Sequence, residues 1–326
     1  MHRAVHRRSG EGIRQTCIKR YTSNAMEFGI AIIDADIRPA NIFAAWSFPL
    51  VPFLALSLLG FLYLSGWHLA RRTRPRKLPT WRAVSFFAGL VSLWIALASP
   101  IDALDDLLLS AHMIQHFILM SVAPPLIVLG APTVPLLRGL PKRFVRVFLR
   151  PLFRANWFHS VAGWVVHPVV AWLAMNIAYL GWHVPAAFEL TFRSERIHDF
   201  EHLCFFATSI AFWWVVLAPW PNQPRWPAWT VVPYLLSADI ANTILSASLV
   251  FSGRVLYPTY AHAERISSLT PLQDQIAAGA EMWFLNSAVF LICAVILVFR
   301  MLCADPEAWG RHCAACANGK RRIVDA

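Results

Sequence analysis

The chain has 326 residues, of which 57% are hydrophobic and only 14% charged. A soluble globular protein carries roughly 25% charged residues, so these values argue against a soluble enzyme and for a polytopic membrane protein. The net charge of +11 does not point to nucleic acid, because no soluble module of domain size remains once the apolar stretches are set aside. It fits basic loops facing an anionic cytoplasmic leaflet.

Residues 1–25 carry six basic side chains and one acidic one, and they lack the apolar stretch of a signal peptide. Met26 opens MEFGIAIIDADIRPA, an acidic segment suited to an outside N-terminus. Residues 1–45 are therefore read as a leader, with a start at Met26 as the alternative. A membrane span needs about 20 mostly apolar residues. Seven stretches meet that need: 46–66, 83–99, 112–130, 161–181, 200–219, 230–251 and 279–302. The expected fold is all-α, a bundle of about seven transmembrane helices over 46–302, with a cytoplasmic tail over 303–326.

Loop charge sets the expected orientation. The first loop, ARRTRPRKLPTWR, holds six basic residues and no acid, and so does the third, RGLPKRFVRVFLRPLFR. Both are expected to be cytoplasmic. The second, SPIDALDDLLLSAH, holds Asp102, Asp105 and Asp106 and no Lys or Arg, so it belongs outside. This puts the N-terminus outside and the C-terminus inside. The third loop alternates Arg with Phe and Leu, as a basic amphipathic segment on the inner membrane surface does. Pro124 and Pro125 fall inside the third span, where proline removes a helix hydrogen bond and kinks the chain.

In that orientation six of the 12 histidines gather on the outer side. His112 and His116 open the third span, and His183 follows the fourth in GWHVP. His198 and His202 enter the fifth in IHDFEH, and His262 precedes the seventh. Residues four apart lie about 40° apart around a helix, on one face. His112 and His116 therefore point together, and so do His198 and His202. Two such pairs facing each other place four imidazoles around one point, with His183 as a fifth. Neutral imidazole suits Cu, Zn and Fe. Met113 either adds a thioether, which favours Cu(I), or faces lipid, since it lies about 100° from His112.

Several motifs resemble the CtaG family of cytochrome c oxidase assembly factors, the branch first associated with caa-type oxidases. They are HMIQH with the following APPLIVLGAP, WHVP at Trp182–Pro185, and the His198/His202 pair followed by FF and WW. LYPTYA at Leu256–Ala261 and TPLQDQIAAGAEMW at Thr270–Trp283 complete the set. The likeness covers about residues 46–302. It implies seven spans in the bacterial inner membrane and a part in maturing the copper sites of the oxidase, with oxidase subunits and the lipid bilayer as partners. Copper is then the expected metal, held by His112, His116, His183, His198 and His202 with Met113. Glu201, Asp274 and Gln275 are expected to support those ligands.

Two other chemistries use the same residues. His198, Glu201 and His202 fit the H-x-x-E-H pattern of a zinc-dependent hydrolase, in which Glu201 would activate water. One histidine from each pair could instead bind haem axially. Asp102, Asp105 and Asp106 either attract a cation before capture or keep the loop solvated. Asp239 lies near mid-span and calls for a partner, with Asn176, Asn242 and Asn286 as candidates. Cys313 and Cys316, with His312, form HCAAC in the tail. That cluster either binds Cu(I) or Zn or is incidental; it reverses the haem-attachment order, so covalent haem is rejected.

Overall fold

Long runs of Leu, Val, Ala and Phe without interior charge form helices, because in lipid every backbone donor and acceptor must be satisfied within its own segment. The computed structural model describes residues 46–303 apart from 222–225, 265 and 267. The leader and the HCAAC motif lie outside the described residues. Nine helices position the site: α1 Leu50–Thr73, α2 Thr80–Ala98, α3 Leu109–Leu129, α4 Thr133–Gly139, α5 Pro168–Trp182, α6 Pro185–Arg193, α7 Glu195–Leu217, α8 Val231–Phe251 and α9 Pro271–Cys303. Six of them are long and apolar enough to cross a membrane. Their flanks expose large apolar side chains, such as Phe61, Phe251 and Phe284, to the surroundings. The protein is a multi-pass, all-α membrane protein.

The fourth expected span, 161–181, is broken. Asn156–Val165 and α5 meet at 59°. The break is chemical: Pro168 occupies the first turn of α5, and His167 before it is extended at φ −70°, ψ 130°. A residue preceding proline is pushed out of the helical region. The same rule ends α2, where Ser99 is extended and Pro100 opens the short helix Pro100–Leu104.

α3 is also irregular, and its two prolines are the cause. Its middle, Ile118–Val122, is a π-turn, closed by the Ala123 N–H donating to the Ile118 carbonyl. In a regular helix the amide of residue 124 would pair with the Met120 carbonyl, but Pro124 has no N–H. Trp213 of α7 makes good the loss: its indole N–H donates to that carbonyl at 2.9 Å. Trp213 is fully buried, so the irregular turn in α3 is keyed to one side chain of a neighbouring helix.

Two apolar cores flank α3. One joins Leu109, Met113, Met120 and Val128 of α3 to α5, α7, α8 and α9, and the other joins Leu119, Ala123 and Ile127 to α1, α2 and the residues around α4. The α1–α4 crossing depends on glycine. A Cβ on Gly66 would lie 1.7 Å from the Pro135 carbonyl oxygen, and one on Gly139 would lie 1.9 Å from that of Leu62. Small residues permit such close backbone approach between membrane helices.

Within the bundle a polar chain crosses four helices. The Ser121 hydroxyl donates to Asn286 at 2.5 Å, Asn286 to Asn242 at 3.4 Å, and Tyr179 to Asn242 at 2.8 Å. Asp239 is served by none of the three asparagines expected from the sequence. It accepts from the Ser287 hydroxyl at 2.6 Å.

Candidate metal site

The N-terminal turns of α3 and α7 lie side by side at one end of the bundle. The four-residue spacing brings the His112 and His116 rings to 4.2 Å between centroids, and His198 and His202 to the same distance. The two pairs face each other. His112 stands 5.3 Å from His198, and His116 stands 5.5 Å from His202. His183, at the C-terminal cap of α5, adds a fifth ring 5.8 Å from His116. All five are buried. His262 stays apart: it is exposed, and its Nδ1 lies 2.8 Å from the Pro258 carbonyl.

Two carboxylates enter the cluster. Asp105 Oδ2 lies 3.5 Å from His198 Nε2 and 3.9 Å from His112 Nδ1. Glu201 Oε1 lies 3.9 Å from His116 Nε2. Asp105, His112 and His198 form one group of buried donors able to hold a metal ion, and His112, His116 and Glu201 form another. Neither ring nitrogen of His116 has a hydrogen-bond partner among the described residues. Buried polar nitrogens are normally satisfied, so two bare ones on a ring facing a carboxylate suit a cation.

His183 is oriented by its own helix. Its Nδ1 lies 2.7 Å from the Tyr179 carbonyl. A carbonyl only accepts, so Nδ1 carries the proton and Nε2 of the neutral ring presents a lone pair. That lone pair lies 3.3 Å from Met113 Sδ. Met113 is 1% exposed, so of the two orientations open to it in the sequence it takes the one facing the interior. A thioether and an imidazole lone pair that close are two acceptors pointed at each other. Two ligands of one tetrahedral ion would stand about 3.5 Å apart, given bonds of about 2.0 Å to nitrogen and 2.3 Å to sulfur.

The roof is aromatic. Phe188 of α6 packs 5.1 Å from His112, and Phe205 of α7 closes the floor 4.6 Å from His116. Tyr257 packs against Phe188 at 4.2 Å between ring centroids and donates to the His183 carbonyl at 3.0 Å. Tyr260 donates to the Asp105 carbonyl at 2.6 Å. Burial pushes both phenols up, and nearby carboxylates add to the shift, Asp105 first for Tyr260 and Glu201 for Tyr257. Both therefore remain donors. Glu189 ties α6 down by accepting from the Thr259 amide at 3.1 Å and its hydroxyl at 2.6 Å.

The other motif residues hold this frame. Thr270 and Gln273 cap α9 reciprocally, as a capping box does. Asp274 forms no hydrogen bond with the histidines among the described residues. It caps α3 from outside, accepting from the Leu109 amide at 2.8 Å and the Ser110 hydroxyl at 2.6 Å, where a negative charge is favoured. Gln275 also stands away from the rings. It binds the turn after α8, accepting from the Leu256 amide at 2.7 Å and donating to Ser252 and Arg254. Gln115 donates to the Ala96 carbonyl and to Asp102, fixing α3 against α2. Asp105 was visible in the sequence only as one of three loop acids. Nothing in its spacing set it apart from Asp102 or Asp106.

Three curated proteins share 24% identity with the chain. One from Mycobacterium bovis and one from Mycobacterium tuberculosis align over 293 residues, which is 88% of this chain and 42% of theirs. One from Mycobacterium leprae aligns over 268 residues, 80% of this chain and 40% of its own. All three carry the name uncharacterized protein. The chain thus spans about two fifths of the length of the curated relatives it matches. No solved structure matches it. The model of the cytochrome c oxidase caa3 assembly factor family, Caa3_CtaG, matches residues 61–303, a stretch that holds every residue of the histidine cluster, and the chain belongs to that family.

Proposed function

We propose that the protein binds copper as cargo at the histidine cluster and releases it to oxidase subunits as they mature. The observation that carries this reading is the meeting of His183 Nε2 and Met113 Sδ at 3.3 Å, beside four further imidazoles on two helices. A thioether selects soft Cu(I), while imidazole and carboxylate also accept harder ions. The cluster therefore offers graded donors across which copper exchanges ligands without being trapped. Asp105 and Glu201 balance its charge in a setting where an uncompensated charge is costly. The cluster faces the periplasm, with the basic loops in the cytoplasm, as loop charge requires.

The test is metal content. Protein purified in detergent and loaded with Cu(I) without oxygen takes up copper, measured by mass spectrometry of the metal. His112→Ala/His116→Ala lowers the affinity at least tenfold, within the range of about 10–100 for disturbed metal sites. A double variant that loads like the wild type sinks the reading. Zinc held as isolated, together with hydrolase activity lost in Glu201→Gln, would favour the hydrolase instead, and a Soret band would favour haem.

A further inference from the structure

The end of the bundle opposite the histidines carries a cavity of about 720 Å³ between the last turn of α1 and the segment that follows α4. Five cations line it: Arg138, Lys142, Arg146, Arg150 and Arg154. They recur every four residues. No acidic residue lines the cavity, and residues 138–154 contain none. In an α-helix each four-residue step drifts by about 40°. Here residues Val145–Leu149 form a π-turn, whose wider turns offset the drift and keep Lys142, Arg146 and Arg150 on the cavity side. Arg138 is anchored, donating to the Thr73 hydroxyl at 2.8 Å and the Leu69 carbonyl at 3.3 Å. All five side chains are exposed.

The rest of the lining is apolar, with Leu69, Leu137, Val145 and Phe153 among it. The same segment leaves Phe144, Val147 and Phe148 exposed, a face suited to burial at the boundary of headgroups and acyl chains. Orientation by positive charge requires basic residues in this loop, but it does not require them to converge on one apolar-walled cavity. Cations brought together repel unless an anion joins them. An anion that also fills an apolar wall is an amphiphile.

We propose that this cavity binds an anionic phospholipid of the adjoining leaflet. The phosphodiester sits against Lys142, Arg146 and Arg150, and an acyl chain runs along Leu69 and Leu137. The site is independent of the metal reading. The full-length protein, purified in detergent, is offered phosphatidylglycerol or phosphatidylcholine, and retained lipid is counted by native mass spectrometry. The wild type retains phosphatidylglycerol about tenfold better, and Lys142→Gln/Arg146→Gln/Arg150→Gln abolishes the preference, since each basic contact with anionic lipid contributes roughly 1 kcal/mol. Arg71→Gln/Arg72→Gln/Arg76→Gln, in the other basic loop, keeps it, and so does the charge-conserving Lys142→Arg/Arg146→Lys/Arg150→Lys. Should the triple glutamine variant not fold, Arg146→Gln alone shows a partial loss. A preference that survives at Lys142, Arg146 and Arg150, or falls equally with the Arg71 loop, overturns the proposal. Displacement of the lipid by millimolar inorganic phosphate overturns it too, because the cavity would then be a phosphate site and not a lipid site.

Discussion

At Met113 the sequence poses a choice that the fold resolves. The residue sits one position from His112, and helical spacing alone turns it about 100° away. In the bundle the C-terminal cap of α5 comes alongside, so that His183 meets the sulfur. Met113→Leu is close to volume-conserving, a class of core change that costs little stability, and it removes only the thioether. On the copper reading it weakens Cu(I) by about tenfold, or 1.4 kcal/mol, and leaves Cu(II) and Zn binding unchanged. Competition with a Cu(I) chelator measures the effect; equal loss for all three ions would show a packing role instead. The histidine pairs were legible from spacing alone, because i and i+4 share a face in any helix. Asp105 was not, because its place beside His198 depends on where the turn after Pro100–Leu104 lies in space.

At the scale of elements, the π-turn in α3 is the device that most needs explanation. Two adjacent prolines open the hydrogen-bond ladder, and a π-turn and one indole close it again. Trp213→Phe keeps the aromatic bulk and removes the donor, leaving the Met120 carbonyl buried and unsatisfied. Such a group costs about 1–3 kcal/mol, so the thermal midpoint in detergent falls while the apolar core remains filled. An unchanged midpoint would mean that the carbonyl finds another donor. The lost hydrogen bond could be anticipated from Pro124 and Pro125, whereas the donor that replaces it could not, since residue 213 is 93 positions distant from Met120. The roof has the same character. LYPTYA and TPLQDQ read as bare motifs in the sequence, yet each polar residue that the structure explains there fastens one loop or helix end to another.

For the whole molecule, charge is divided between two ends. The histidines and their two carboxylates occupy one end, and the basic cavity occupies the other. Loop charge predicts that the first faces the periplasm. Single cysteines in a background freed of native ones test this. A membrane-impermeant maleimide labels Arg254→Cys in intact spheroplasts, and Arg146→Cys only after permeabilisation. The reverse pattern would place the histidine cluster in the cytoplasm and remove the link to copper delivery from outside.

The sequence by itself determined the all-helical class, the placing of six spans that are single helices, the expected direction of insertion, and the pairing of histidines along each helix. These depend on hydrophobic length, loop charge and the 3.6-residue period, all of them local properties of the chain. Only the tertiary structure decided that α3, α5 and α7 bring five imidazoles together. It also decided that Asp105 and Glu201 join them, that Asp274 and Gln275 brace the frame from outside, and that Phe188 and Tyr257 close the roof. Those outcomes turn on which helices become neighbours. That choice is made by packing surfaces spread over the whole bundle, and no single stretch of sequence carries it.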